Sequence, residues 1–392
     1  MNVYHHSHQW VGTKLGRRVL AVLAVALIGL APVAQAEIVN MVAVVNGAQV
    51  EVPVASTTLG VGKFIVDTDA NTMTYEITHS GLTSGETAAH IHGFADAGVS
   101  TGVKHPLRGG LFKTGGWNYP DGDEADILAG RTYVNIHSGD HGGGEIRGQI
   151  VDMVAMIDSA QEGDVSNTSA AVGTGLFLID TVANTLNYHI IFSGLEGAES
   201  AAHIHGFAIH GTPAGVQHPL PAGSSKIRVW NYPEVDEAAI LAGQTYVNVH
   251  SGPHPGGEIR GQITDCTVPV DSGQAVSLTS NGFGAAAFSR DTSAQELGYY
   301  VTYDGLASSE LFAHIHGYAP AGTNVGVLHP LPASNPKVGA WDYGAQGGAP
   351  GILSETYVNI HTANNGGGAI RGQIWCPIDL TVPTELSAFV VD

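Results

Sequence analysis

Apolar and polar residues alternate through residues 63–67 (Lys-Phe-Ile-Val-Asp) and 72–78 (Thr-Met-Thr-Tyr-Glu-Ile-Thr), with β-branched and aromatic side chains in the apolar places. A period of two buries one face of a strand, and these residue types suit a pleated surface. Between the two runs, Asp67-Thr-Asp-Ala-Asn71 has a turn composition, so the segment predicts a hairpin. The hairpin returns at 180–184 and, more loosely, at 291–295. Further strands are predicted at Thr132-Tyr-Val-Asn-Ile-His and Glu145-Ile-Arg-Gly-Gln-Ile, separated by a Gly-rich turn. Only 123–128 and 234–241 read as helical, for about two turns at most. Many short strands with Gly-rich turns predict an all-β chain of tandem Greek-key β-sandwich or small-barrel domains.

The pattern is written three times. Ala-His-Ile-His-Gly at 89–93 recurs at 202–206 and 313–317, at periods of 113 and 111 residues, which suit one small domain each. We therefore expect a leader over 1–36, domains over 37–152, 153–265 and 266–379, and a tail over 380–392. Within each unit the spacing from the first histidine (His90, His203, His314) is fixed. The second histidine follows two residues on (His92, His205, His316). A His-Pro-Leu histidine comes at fifteen (His105, His218, His329), and a tryptophan at twenty-seven (Trp117, Trp230, Trp341). A strand histidine comes at forty-seven (His137, His250, His361), and an arginine at fifty-seven (Arg147, Arg260, Arg371).

On a strand, His90 and His92 share one face and Ile91 takes the other, while Tyr133, Asn135 and His137 share a face of theirs. If the two strands are neighbours, three imidazoles converge, and His105, in a Gly-flanked loop, can fold over as a fourth. Three or four nitrogen ligands without thiolate suit zinc, copper or nickel, copper or zinc being the expected ions. The alternative is that the histidines are buried hydrogen-bonding groups fixing loops to strands. The five that do not recur at one position, His79, His141, His189, His210 and His254, read as surface or supporting residues. Glu86, Glu199 and Glu310, four residues before the first histidine, read either as supports for a ligand histidine or as surface acids. The tryptophans are either core or an aromatic rim for a sugar or peptide. Unit three keeps Arg371 but has Ala369 where the others have Glu145 and Glu258, so the arginine is expected to bond backbone carbonyls rather than that carboxylate.

Composition narrows the function. The chain has 392 residues, 43% hydrophobic and 13% charged, a balance that argues against disorder. Lys14, Arg17 and Arg18 precede the apolar run 19–30 and Ala34-Gln35-Ala36, the layout of a secretory signal peptide cleaved near Glu37. Arg17-Arg18 also suits twin-arginine export, an ordinary basic n-region being the simpler reading. Removing the leader takes three of 15 basic residues and no acid, so the mature charge is 12 − 35 = −23. Such acidity argues against nucleic acid and anionic membrane surfaces as partners. No later segment is long enough to span a bilayer, so a secreted or periplasmic protein is expected, with an extracytoplasmic protein or small ligand as partner. Export favours a disulfide between Cys266 and Cys376 over two buried thiols. No Gly-x-Ser-x-Gly elbow, phosphate-cradling loop or acid/base carboxylate pair stands out, and no catalytic residue is assigned.

Ala-His-Ile-His-Gly, the Asp-x-x-x-Asn hairpin, Tyr-Val-Asn-(Ile/Val)-His-(Ser/Thr) and Gly-Glu-Ile-Arg-Gly-Gln-Ile together resemble the bacterial form of the CHRD (chordin) domain, in three copies over nearly all of 37–376. The resemblance implies a β-sandwich-like fold and a binding protein rather than an enzyme. Unit three departs at Ala369 and over 344–355. The histidine order is also similar, more weakly, to the copper site of Cu/Zn superoxide dismutases. That likeness implies a superoxide-dismutase-like fold, with an immunoglobulin-like one as the alternative for Greek-key domains, and makes His90, His92, His105 and His137 copper-type ligands, and likewise in the other units. The dismutase zinc ligands have no repeated counterpart. Three readings follow: an exported binding protein with a copper or zinc site per domain, a dismutase-type redox enzyme, or a structural or adhesive protein with structural histidines.

Overall fold

The computed structural model describes residues 38–163, 166–275, 280–320, 322–344 and 355–375. The leader, Cys376, the tail and most of the divergent stretch 344–355 lie outside the described residues.

Each unit is one eight-stranded antiparallel sheet curled into a nearly closed barrel. In unit one the strands are β1 (Ile38–Asn46), β2 (Leu59–Asp67), β3 (Thr72–His79), β4 (Glu86–Gly93), β5 (Val103–Pro106), β6 (Phe112–Asn118), β7 (Thr132–Ser138) and β8 (Ile146–Gln149). Their order across the sheet is β5-β4-β7-β8-β1-β2-β3-β6, and units two and three repeat it. The β2–β3 hairpin turns as its sequence predicts. Asp67 Oδ1 accepts the backbone N–H groups of Asp69 and Ala70, and Asn71 takes the left-handed conformation at φ 52°. The helical segments are single short turns, α1 (Glu124–Leu128) and α2 (Glu237–Leu241), each preceded by a 3-10 turn.

The alternation sets the core. Met41, Ala43, Val45, Phe64, Met73, Tyr75, Ile77, Ile91, Val134 and Ile136 point into the first barrel, and units two and three have equivalent clusters. Trp117, Trp230 and Trp341 belong to these cores. Strand β1 is apolar on both faces, because its other face meets the neighbouring units. Val42, Val44, Val61 and Val151 pack with Val154, Met156 and Leu176 of unit two and with Ala285, Ala287 and Tyr300 of unit three. The three units thus share one central apolar core.

Asn46 and Asp158, at equivalent ends of the first strands of units one and two, serve successive seams with different partners. Asn46 donates to Thr174 Oγ1 at 2.7 Å, and one unit later Asp158 accepts the hydroxyl of Tyr300. At the seam of units two and three, His210 N donates to Ser289 Oγ at 2.9 Å, and the chain runs so close to Gly298 that a Cβ there would stand 2.7 Å from His210 N. Unit three returns to unit one through Lys63, whose ammonium lies 3.8 Å from the Trp375 ring centroid. The arrangement is a ring of three barrels.

Candidate metal centres

Strands β4 and β7 are neighbours, paired so that His92 stands opposite Tyr133, His90 opposite Asn135 and Ala88 opposite His137. With Ile91 committed to the core, His90, His92 and His137 are forced onto the outer face of the barrel. Three ring nitrogens, one from each histidine, lie within 4.8 Å of one another, and so do those of His203, His205 and His250 and of His314, His316 and His361.

Two loops fold over this face and fix the rings. His92 Nδ1 donates to Thr101 O at 2.8 Å and His137 Nδ1 donates to Gly142 O at 2.9 Å. A carbonyl only accepts, so both rings carry their proton on Nδ1 and leave the Nε2 lone pair for the cluster. The same bonds recur from His205 to Ala214 O (2.9 Å), His250 to Pro255 O (3.1 Å), His316 to Val325 O (2.9 Å) and His361 to Gly366 O (3.0 Å). His92 Nε2 and His205 Nε2 are buried with no hydrogen-bond partner. Orienting a ligand imidazole through its other nitrogen is the usual support of a metal site. The protein also favours neutral rings. Burial pushes His92, His205 and His316 below the ordinary imidazole value against the backbone bond that raises each, and neighbouring charges add to the lowering.

A stack supports the cluster from the side. His92 lies on Tyr133 (ring centroids 5.0 Å, 15° between planes), and the Arg147 guanidinium lies 3.6 Å from the centroid of the same ring. His205–Tyr246–Arg260 and His316–Tyr357–Arg371 repeat the stack. The arginines also bond the overlying loop: Arg147 donates to Asp96 O and Gln149 Oε1, Arg260 to Thr212 O, and Arg371 to Thr323 O and Pro320 O. Carbonyl bonding is what the loss of the glutamate in unit three implied. Glu145 is instead met by Ser56, Thr58 and Thr83.

His105, expected as a fourth ligand from a loop, lies elsewhere. It sits on β5 opposite Ile91 and so takes the inward face, away from His90 and His92. There it stacks on Trp117 (6.1 Å, 19°), with Nε2 3.3 Å from Tyr75 Oη. His218 lies likewise on Trp230 beside Tyr188, and His329 on Trp341 beside Tyr299. The structure brings together three histidines per unit and not four, so the copper-type set implied by the dismutase likeness is not assembled.

Two further readings are corrected. The recurrent glutamates are not free surface acids: Glu86, Glu199 and Glu310 each pair with a fully buried lysine, Lys113, Lys226 and Lys337, at 2.8, 2.6 and 2.8 Å. Nor are His79 and His210 surface residues. His79 is 1% exposed and lies 3.6 Å from the Glu86 carboxylate, while His210 is 2% exposed in a seam between units. The lysines were missed, although all three stand 27 residues after the glutamate.

No helix among the described residues is long and apolar enough to cross a membrane. No curated protein matches the chain at a significant level. The CHRD domain family does match, over residues 41–150, 153–263 and 266–374, limits that coincide with the three barrels. The chain therefore belongs to the CHRD domain family, with three tandem copies of the domain making up nearly all of its described residues.

Proposed function

We propose that this protein is an exported, non-enzymatic binding protein whose three CHRD domains each hold one copper or zinc ion on a triad of histidines. The observation that carries this reading is the convergence of three ring nitrogens within 4.8 Å, in three copies, with the Nδ1–H of two rings in each copy spent on a backbone carbonyl. One buried imidazole nitrogen in each cluster, His92 Nε2, His205 Nε2 and His314 Nδ1, has no hydrogen-bond partner. Leaving such a group unmet costs about 1–3 kcal/mol, and a bound ion removes that cost. Three neutral nitrogens and no thiolate suit zinc or copper, with the remaining coordination open to water or a small ligand.

The test is elemental analysis of protein prepared without a histidine tag. Three ions per chain are expected, His92→Ala removing one and His105→Phe none, both variants remaining folded by circular dichroism. Trace metal only, at neutral pH, would sink the reading. Loss of an ion in His105→Phe would restore the four-ligand site.

Export follows from the leader-like first 36 residues, and amino-terminal sequencing of secreted protein should begin near Glu37. A Cys266–Cys376 disulfide belongs to the same reading. It would close a loop of about 110 residues and stabilise unit three by up to ~4–5 kcal/mol in the chain-entropy model. Alkylation of both cysteines in denatured, unreduced protein would exclude it.

A further inference from the structure

The three histidine clusters share a plan but differ in detail, and we infer that the cluster of unit three is the tightest of the three metal sites and fills first. This rests on the metal-binding reading above. Two residues before the first histidine, units one and two have Ala88 and Ala201, directly opposite His137 and His250. Unit three has Phe312 there, opposite His361. The Phe312 ring stacks on His314 (6.1 Å, 19°), while the residue as a whole stays 59% exposed. One side of the ring faces water and the other shelters the cluster. His361 is correspondingly buried, where His137 is half-buried. A cation on this cluster is screened less by solvent, so each nitrogen attracts it more strongly.

The ring nitrogens differ in the same sense. In units one and two the first histidine turns Nδ1 to the Nε2 of the last, His90 to His137 at 3.4 Å and His203 to His250 at 3.2 Å. A proton on that Nδ1 makes a hydrogen bond, which an entering ion must break. In unit three the short contact is His316 Nε2 to His361 Nε2, at 3.2 Å. Both of these rings have given their Nδ1–H to carbonyls, so in neutral rings both Nε2 atoms present lone pairs. Lone pairs facing at this distance repel, and a cation bound by both removes the repulsion. His314 Nδ1 is buried with no hydrogen-bond partner. The cluster is also more closely gathered: the ring centroids of His316 and His361 are 5.4 Å apart, against 6.0 Å for His92–His137 and 6.0 Å for His205–His250.

Zinc titration of the metal-free full chain against a competing chromophoric chelator tests the inference, run in parallel on His92→Ala, His205→Ala, His316→Ala and Phe312→Ala. Three zinc ions are expected, one held on the order of tenfold more tightly than the other two. That ion should vanish in His316→Ala and persist in His92→Ala and His205→Ala. Phe312→Ala, which leaves all nine ligands in place, should bring it close to the affinity of the others without changing the total. Three equal affinities, loss of the tight ion in His92→Ala or His205→Ala, or an unchanged tight ion in Phe312→Ala would overturn the inference while leaving metal binding intact. Binding of neither zinc nor copper by any of these chains would overturn metal binding itself. Should His316→Ala fail to fold, Phe312→Ala decides alone.

Discussion

A lysine with no exposed surface must be met by charge, and Lys113 is met by Glu86, whose carboxylate also faces His79. Burial alone would raise the Glu86 carboxyl. The approach of His79, the hydrogen bonds and charge of Lys113 and the Gly110 N–H outweigh it and hold it at about 2. Lys113→Ala leaves that carboxylate without its cation and should cost about 3 kcal/mol, whereas the paired change Glu86→Gln with Lys113→Met should recover most of it. Urea unfolding of both variants measures the difference. The pair was half legible in the sequence. Both members recur at fixed spacing, but one stands on β4 and the other on β6, and only closure of the barrel brings those strands together. Strand periodicity describes faces within a sheet and says nothing about its two ends meeting. The three-histidine clusters needed no such closure, because β4 and β7 are sheet neighbours and a period of two already put the right side chains on one face.

At the level of elements, the loop between β7 and β8 connects fold to site. Gly144 has φ +120°, and a Cβ there would stand 2.1 Å from Asn135 Oδ1. Asn135 in turn donates to Gly143 O at 3.1 Å, next to the Gly142 carbonyl that orients His137. Gly257 and Gly368 occupy the same place against Asn248 and Asn359. Gly144→Ala should therefore destabilise unit one by at least about 1 kcal/mol and also move the His137 ring. One ion should be lost from elemental analysis with all twelve repeated histidines intact. An unchanged metal content would mean that the loop does not position the ring. Strand β5 is the element that sequence pattern handled least well. Four residues ending in proline are too few to display a period, so His105 reads as a loop residue, and its inward direction is set only by pairing with β4.

For the whole molecule, the ring depends on seams that bury polar groups, and His210 is the clearest case. Burial, with the nearby Arg260 charge adding to it, pushes its imidazole down to about 3. Folded, it stays neutral to about that pH. Unfolded, it takes a proton below the ordinary value of 6.5. Acid therefore favours the unfolded chain from about pH 6.5 downward, and at pH about 5 this residue's share is about 2 kcal/mol. His210→Gln should flatten the fall in urea midpoint between pH about 7.5 and about 5, and an equal fall in both proteins would rule out that role. Three tandem all-β domains were legible because period and spacing are local properties. The ring was not, because Val42 and Val44 look like ordinary strand residues until a second barrel covers them. That ring has a consequence for how the protein can change. In a homotrimer every substitution arrives threefold, so one subunit cannot be altered alone. Here the copies sit on one chain, so a phenylalanine can enter at 312 while alanine stays at 88 and 201. Identical stations around a shared hub are thus free to specialise one at a time while their number stays fixed at three.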